Sequence, residues 1–574
     1  KLQLFMPSGV VTPIPMATTI LTNPMPAPFN PMAMALKAAK GAFGRLKKLR
    51  AKKMKNLSDR MHGTVNNKVK PKGLRNALHK AICTVTGHPV DVASGMFFTD
   101  EEDFNLSGPI PLSWERTWYA KSDYKGPLGN GWHHAYDMAI VVDKLQNNVS
   151  LRMADGRPLP FAMPQIHTPT FRRSEMLEMR IDENGEYYVW DIKEDLYYYF
   201  TKETYDDVQR LRSVVNPNGF SIQFKYDRNG YLIEIIDSAH RTLKVENDDE
   251  GRIVSIVAPH PDLQNETFEI AKYVYDVHGN MIEQVNAVGD SMHFEYEGYL
   301  MVKETWRNGL NWYFKYDGTK IGSRCIHTWG DGNIQNHKLT FYNGLTEVEN
   351  SLGHVTRYYH KGGLVIKRID PNKAEHHWRY DEDNQLLSEI DPLGNAYLYS
   401  YDERGNQVQI VGPTGATTAT EYDEPELPNS PTEAIDINGG KWQWKYDEQG
   451  NVIKRINPMG AESLIHFENG LVTGVTDALN NTTSLEYNKQ YSIETVRDEQ
   501  GNVTYYRYDR MGRCIQITNP KGAVQKRRFD LIGRVIEVND FDGNHIELTY
   551  DGIDNLVHYK DSQQEVKYRY KGMW

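Results

Sequence analysis

Cysteine is scarce in this chain, and long apolar runs are missing. Cys83, Cys325 and Cys514 are the three cysteines of 574 residues, with no Cys-x-x-Cys pair among them. That pattern excludes a disulfide scaffold and a cysteine zinc site, and it reads as buried or incidental thiols. No stretch approaches the ~20 apolar residues a helix needs to span a bilayer, and no cleavable signal peptide is apparent. The short motifs of nucleotide, metalloprotease and hydrolase chemistry are absent too: no Gly-x-x-x-x-Gly-Lys-Ser/Thr loop, no His-Glu-x-x-His, no Gly-x-Ser-x-Gly. His133-His134 with Asp137, and His376-His377, come nearest to a ligand set. The surrounding Gly-Trp-His-His-Ala-Tyr-Asp reads as a turn entering a strand, so both pairs are taken as surface or packing residues. No catalytic residue, cofactor or metal is expected, and the chain reads as a non-enzyme.

What the chain has instead is a repeat. Tyr-Asp or a close variant recurs at Tyr380-Asp381, Tyr401-Asp402, Tyr422, Tyr446-Asp447, Tyr508-Asp509, Phe529 and Tyr550-Asp551, and several neighbours stand 21 residues apart. Looser copies, including Tyr226-Asp227 and Tyr275-Asp276, extend the series upstream to about residue 200. Between them lies a second signal: Asn216-Pro217-Asn218-Gly219, Asp391-Pro392-Leu393-Gly394, Asn457-Pro458-Met459-Gly460 and Asn519-Pro520-Lys521-Gly522. The segments between these turns alternate aromatic or β-branched residues with polar ones, as strands do. Gly tolerates positive φ, Asp and Asn bond their own backbone, and Pro fixes φ at the first central position, so each repeat is one hairpin. A lone hairpin is marginal, so neighbours must stack laterally into one sheet.

The array resembles the YD-repeat (Rhs) proteins of bacteria, and the segment before it agrees. Gly87-His88-Pro89-Val90-Asp91, Asp103-Phe104-Asn105-Leu106-Ser107-Gly108-Pro109 and Gly126-Pro127-Leu128-Gly129-Asn130-Gly131-Trp132-His133 resemble the domain that opens the shell of Rhs polymorphic toxins. The resemblance covers roughly residues 81 to 574. It implies an all-β hairpin ribbon coiled into a hollow spiral cocoon around a C-terminal toxin domain, with 81–200 as shell-opening plug and 201–574 as shell. It also implies that Trp114, Trp118 and Trp132 pack the plug while Gly129 and Gly131 set its turns. The family's Asp-Pro-x-Gly-Leu self-cleavage segment is not recognised: Asp391-Pro392-Leu393-Gly394 continues with Asn395 and reads as a turn.

Charge is asymmetric. Lys37 to Lys80 carries 15 basic residues against Asp59 alone, so with a total of −10 the remainder holds −24. Residues 32–80 therefore read as a basic, partly helical arm, solvated or docked on the shell, with anionic membrane, nucleic acid or a chaperone as sharper alternatives. Residues 1–31, rich in Pro and Met, read as a linker. Tyr outnumbers Phe, 35 to 18, and mean hydropathy is −0.64, as expected for wetted walls. At about 10 Å of advance per repeat, the ribbon is expected to make about one turn of ~50 Å diameter and to end on an unpaired strand.

Two functions follow. The first is a delivery shell made in the bacterial cytoplasm and exported, through type VI secretion, into rival cells. Its partners would be the enclosed toxin, secretion spike or tip proteins, a chaperone and an immunity protein, with no specific nucleic acid. The alternative is a YD-repeat protein that binds carbohydrate or a cell surface. The direction of Trp306, Trp312, Trp378, Trp442 and Trp444 discriminates between them: inward for a container, outward in a row for a sugar surface.

Overall fold

The computed structural model describes residues 82–83, 90–143, 147–204 and 208–570; the linker and the basic arm lie outside them. Among the described residues the fold is a long antiparallel β-ribbon, and the only helical element is a single 3-10 turn, Asp331–Asn333. Sequential strands pair in order from Thr170–Arg172 to Glu565–Lys567, each with the next. The ladder thus includes residues 170–200, upstream of the expected start of the array. At its beginning the sheet closes on itself. Strand Gln209–Val215 pairs with Ala139–Asp143 through Gln209 and Arg210, and with Ser221–Tyr226 through Ser213 to Val215.

Each repeat has two turns of one construction. In the Tyr-Asp turns, the Oδ1 of Asp227, Asp276, Asp381, Asp402, Asp447, Asp509 and Asp551 accepts the backbone N–H groups two and four residues on. Asp391, Asn457 and Asn519 do the same in the turns between. The fourth residue is usually Gly in the left-handed region, for example Gly405 at φ 86° and Gly394 at φ 83°, where a Cβ is strained.

The two turns differ in what precedes them. Before most Tyr-Asp turns the register slips by one residue, as between Lys225 and Tyr226, Ser400 and Tyr401, and Arg507 and Tyr508, though not before Tyr422. Hairpins closed by Asp391, Asn457 and Asn519 show no slip. A bulge bends its strand and tightens the local twist, so the Tyr-Asp edge of the ribbon is bent in most repeats while the other edge is bent in few, as at Ile256 and Thr328, and the ribbon coils. The motif tyrosine closes the splayed end. Tyr226, Tyr401, Tyr446, Tyr508 and Tyr550 each donate the hydroxyl to the carbonyl 15 residues earlier, on the preceding strand or, for Tyr446, just before it at Pro431, at 2.6 to 2.9 Å. Tyr275 donates to Ile253 O, 22 residues earlier across a longer hairpin, at 2.6 Å. Burial pushes the Tyr380 and Tyr446 hydroxyls up to about 12, so they remain donors.

The coil makes more than the single turn expected from its length. Arg173 reaches Asp381, 208 residues on; Asn218 and Asn451 bond each other across 233 residues; His240 meets the Tyr491 hydroxyl across 251; and Arg241 donates to Met511 O across 270. One wind therefore takes roughly 10 to 13 repeats, about 100–130 Å around, which is tighter than the ~50 Å circle expected. The seam has one polarity: Tyr-Asp turns of the second wind sit on the opposite turn edge of the first. The length estimate fixed only strand spacing, whereas the pitch depends on which turn tips meet.

Candidate functional site

Residues 90–137 fold into a small domain that fills the first wind. Its sheet pairs Phe98–Leu106 with Leu112–Tyr119, and the latter with Trp132–His134. Trp114, Trp118 and Trp132 are fully buried. Trp114 Nε1 donates to the wall's Tyr273 hydroxyl at 3.0 Å, and that hydroxyl donates to Asp103 Oδ2 at 2.7 Å. Asp103 is also paired with Arg116 at 3.0 Å, both side chains sealed from solvent. The Arg116 guanidinium lies 4.7 Å over Trp132 and 5.2 Å over Phe294. A buried pair of this kind is sensitive to loss of one partner, which strands the other charge.

The same domain covers the wall's Tyr-Asp edge. Asn130 N–H donates to Gly279 O at 2.9 Å, Ile253 N–H to Pro127 O at 2.7 Å, and Cys325 N–H to Gly95 O at 2.8 Å. Gly129 (φ 82°) sits where a Cβ would lie 2.5 Å from Gly279 O, so that contact requires glycine. Gly131, at φ 72°, precedes Trp132, and a Cβ there would press on Tyr299 and Trp118. Cys325 is buried at this junction and its thiol is pushed up to about 12; burial also raises the Cys514 thiol. Glu304 is buried at the junction between its cross-strand neighbours Phe294 and Trp312. Burial pushes its carboxyl up to about 8, with the Glu101 carboxylate adding and Arg116 opposing. The sequence flagged neither the Asp103–Arg116–Tyr273 cluster nor Glu304. Their only signal was a charged residue at an apolar position of the alternation.

Residues paired across antiparallel strands share a face, which allows the face seated on the plug to be followed along the ribbon. From Val214 and Phe224 it passes through Trp312 to Trp378, Tyr399, Trp442, Trp444, Tyr506 and Tyr559 without changing sides. In the first wind this face is buried; in the second it is largely half-buried. Its polar groups include Arg368, which bonds His376 at 2.8 Å, and Glu389, which accepts the Tyr399 hydroxyl at 2.7 Å. The other face carries cross-strand ion pairs such as Lys225–Glu234, Arg357–Glu347 and Arg528–Glu537. Trp312, Trp378, Trp442 and Trp444 thus point inward, and Trp306 opens a turn against Trp312 at 5.5 Å.

Adjacent strand residues point to opposite faces, so neither histidine pair can close on one metal. His377 joins Glu375 outside, while His376 faces inward. His133 Nε2 lies 3.0 Å from Ser122 Oγ, but its Nδ1 is 3.9 Å from Asp137 Oδ2, too long for a hydrogen bond. Asp137 Oδ1 is held by Tyr124 and Arg152, each at 3.0 Å. Burial pushes His133 and His134 down to about 4, and the cluster packs the plug against Arg152. Among the described residues no group of three or more His, Cys, Asp or Glu is placed to hold a metal ion. No helix there is long and apolar enough to cross a membrane.

Residues 87–161 match a domain of unknown function, DUF6531, and residues 205–242, 380–423 and 493–524 match the RHS Repeat family. The chain is 25% identical over 319 residues to Double-stranded DNA deaminase toxin A of Burkholderia cenocepacia, covering 54% of this chain and 20% of that protein. Similarity to the Probable deoxyribonuclease RhsB of Dickeya dadantii is 24% over 347 residues, 52% of this chain and 22% of the relative. For Toxin protein Tse5 of Pseudomonas aeruginosa it is 22% over 354 residues, 54% and 27%. The chain thus spans about a fifth to a quarter of the length of these relatives. Among solved structures, TcdB2-TccC3 without its hypervariable C-terminal region aligns with TM-score 0.37 and 11% identity, over 83% of this chain and 27% of that one. With a ribbon of Tyr-Asp hairpins and RHS repeats in its first, middle and last parts, the chain is built of Rhs/YD repeats and is similar to relatives named as Rhs proteins and toxins.

Proposed function

We propose that this chain is the plug and wall of a container that encloses and delivers a C-terminal toxin domain in competition between bacteria, exported by type VI secretion. The observation that carries this reading is the single inner face: it seats the plug in the first wind and continues into the second, where Trp378, Tyr399, Trp442 and Trp444 line it half-buried. That orientation supports a lined container over a sugar-binding surface, which needs its aromatics outside. The relatives named as a deaminase toxin and as probable deoxyribonucleases support a poison carried by the whole protein, with this chain itself non-enzymatic. On this reading residues 81–200 hold the plug, 201–574 the main wall, and 1–31 with 32–80 a linker and basic arm toward a secretion spike, tip or chaperone. An immunity protein would answer the toxin.

Intact mass and limited proteolysis of the complete product of this reading frame test the proposal. The expected particle holds this chain together with a protease-resistant, separately cleaved C-terminal fragment. A soluble product that ends at Trp574 and encloses nothing overturns it.

A further inference from the structure

The outer face of the wall carries cross-strand ion pairs such as Lys303–Glu295 and Lys454–Glu462, but strands Leu177–Ile181, Tyr187–Asp191 and Leu196–Phe200 depart from that pattern. Their register places Val189 and Tyr198 with Val214 on the buried inner face, so Tyr188, Trp190, Tyr197 and Tyr199 stand outside. The four half-buried rings form a two-by-two array. Tyr188 stacks on Tyr199 with centroids 5.2 Å apart, and Trp190 on Tyr197 at 5.9 Å. Aromatic rings clustered on an otherwise charged face mark an interaction surface.

The array is set between carboxylates. Residues 177–200 carry seven acidic side chains against Arg180 and Lys193, a net −5. Asp182, Glu183 and Glu186 flank the rings at one end of the strands, and Asp191, Glu194 and Asp195 at the other. The face already takes a guanidinium, since Arg180 lies 5.1 Å over Trp190 and pairs with Glu178 at 2.5 Å. Lysine and arginine dock on such a surface through cation–π contact and charge together. A second outer ladder, in which Trp329 lies 5.4 Å from Tyr313 and 4.3 Å from His327, has Lys303, Lys315 and Lys338 as cross-strand neighbours, which a basic partner does not favour.

We infer that the face around Trp190 and Tyr197 seats the chain's own basic segment, residues 37–80, its lysine and arginine stems across the rings and their charged heads among the flanking carboxylates. Charge complementarity selects this occupant: the segment holds 15 basic residues against Asp59 alone, with Phe43, Leu46 and Leu49 to cover apolar ring surface. It is tethered to the plug, because Ile82, two residues past Lys80, pairs with Asp91. Extended, it spans up to about 150 Å, more than the circumference of a wind, so the whole outer face of the first wind is within reach. Tethering sets its effective concentration on the order of mM, which favours it over a dilute free partner. The inference concerns this chain's own surface and is independent of what the container carries.

The test places the photo-crosslinker p-benzoylphenylalanine at Tyr197 in the complete product of the reading frame, with Tyr313 on the lysine-flanked ladder as control site. Adducts are expected on peptides within residues 37–80 of the same molecule, told from adducts between copies by mixing isotope-labelled and unlabelled protein. Adducts between copies, on another protein or on a glycan, or a yield no higher than at Tyr313, overturn the inference. A second arm reads the charge. Raising salt from about 50 to about 500 mM should lower the Tyr197 yield at least about threefold, and so should the double variant Glu183→Lys, Glu194→Lys, whose side chains lie in turns outside the core. A yield unaltered by both salt and charge reversal also overturns it.

Discussion

Trp132 of the plug donates its indole N–H to the Tyr296 hydroxyl at 3.1 Å, and that hydroxyl donates in turn to Met281 O at 2.9 Å. One motif tyrosine therefore closes the splay between two wall strands and anchors the plug.

The two links are coupled, because the tyrosine hydroxyl serves both. Tyr296→Phe strands the buried Trp132 N–H and should cost about 1–3 kcal/mol, against about 0.5–1.5 kcal/mol for an ordinary hydrogen bond. A double-mutant cycle of Tyr296→Phe with Trp132→Phe, read by denaturant unfolding, should give a coupling energy of at least ~0.5 kcal/mol. Additive costs would show that plug and wall do not share this bond.

At Tyr508 the same staple has no plug attached. Tyr508→Phe should cost about 1 kcal/mol and speed amide exchange in Ile493–Arg497 and Val503–Tyr508, since the Ile493 carbonyl loses its donor. Unchanged exchange in those two strands would mean that the bulge alone holds the edge.

Glu304 makes stability depend on pH in a defined direction. Its folded-state carboxyl sits at about 8, above its ordinary value of 4.5, so the folded state holds a proton that the unfolded chain releases. That contribution is complete below about pH 4.5, falls by up to about 1.4 kcal/mol per pH unit as pH rises, and is gone above about pH 8. Besides Glu101 and Arg116, Asp100 contributes to its field, raising the carboxyl further, and Thr99 hydrogen-bonds it. Glu304→Gln should flatten the unfolding midpoint between pH 5 and 8 relative to the parent. Parallel pH profiles would remove Glu304 as the cause.

The seam depends on Arg241, whose pair with Asp237 is almost wholly buried. Arg241→Met leaves Asp237 buried without its cation and should cost about 3–5 kcal/mol. Asp237→Asn with Arg241→Met should recover part of that loss. Limited proteolysis should show the second wind released before the plug; simultaneous loss of both would assign Arg241 to the plug alone.

Much of the wall was legible in the chain because its determinants are local. The Asp of each Tyr-Asp pair accepts N–H groups two and four residues away, glycine takes the left-handed position, and alternation separates a charged face from an aromatic one. Those features decided an all-β ribbon of hairpins. The tertiary structure decided the winding, the inner face and the plug's seat. Arg173 meets Asp381 across 208 residues and Trp114 meets Tyr273 across 159, and no local pattern records such distances. The buried charges Asp103, Arg116 and Glu304 were invisible for the same reason. A charged residue on a strand reads as solvent-facing until the surface that covers it is known.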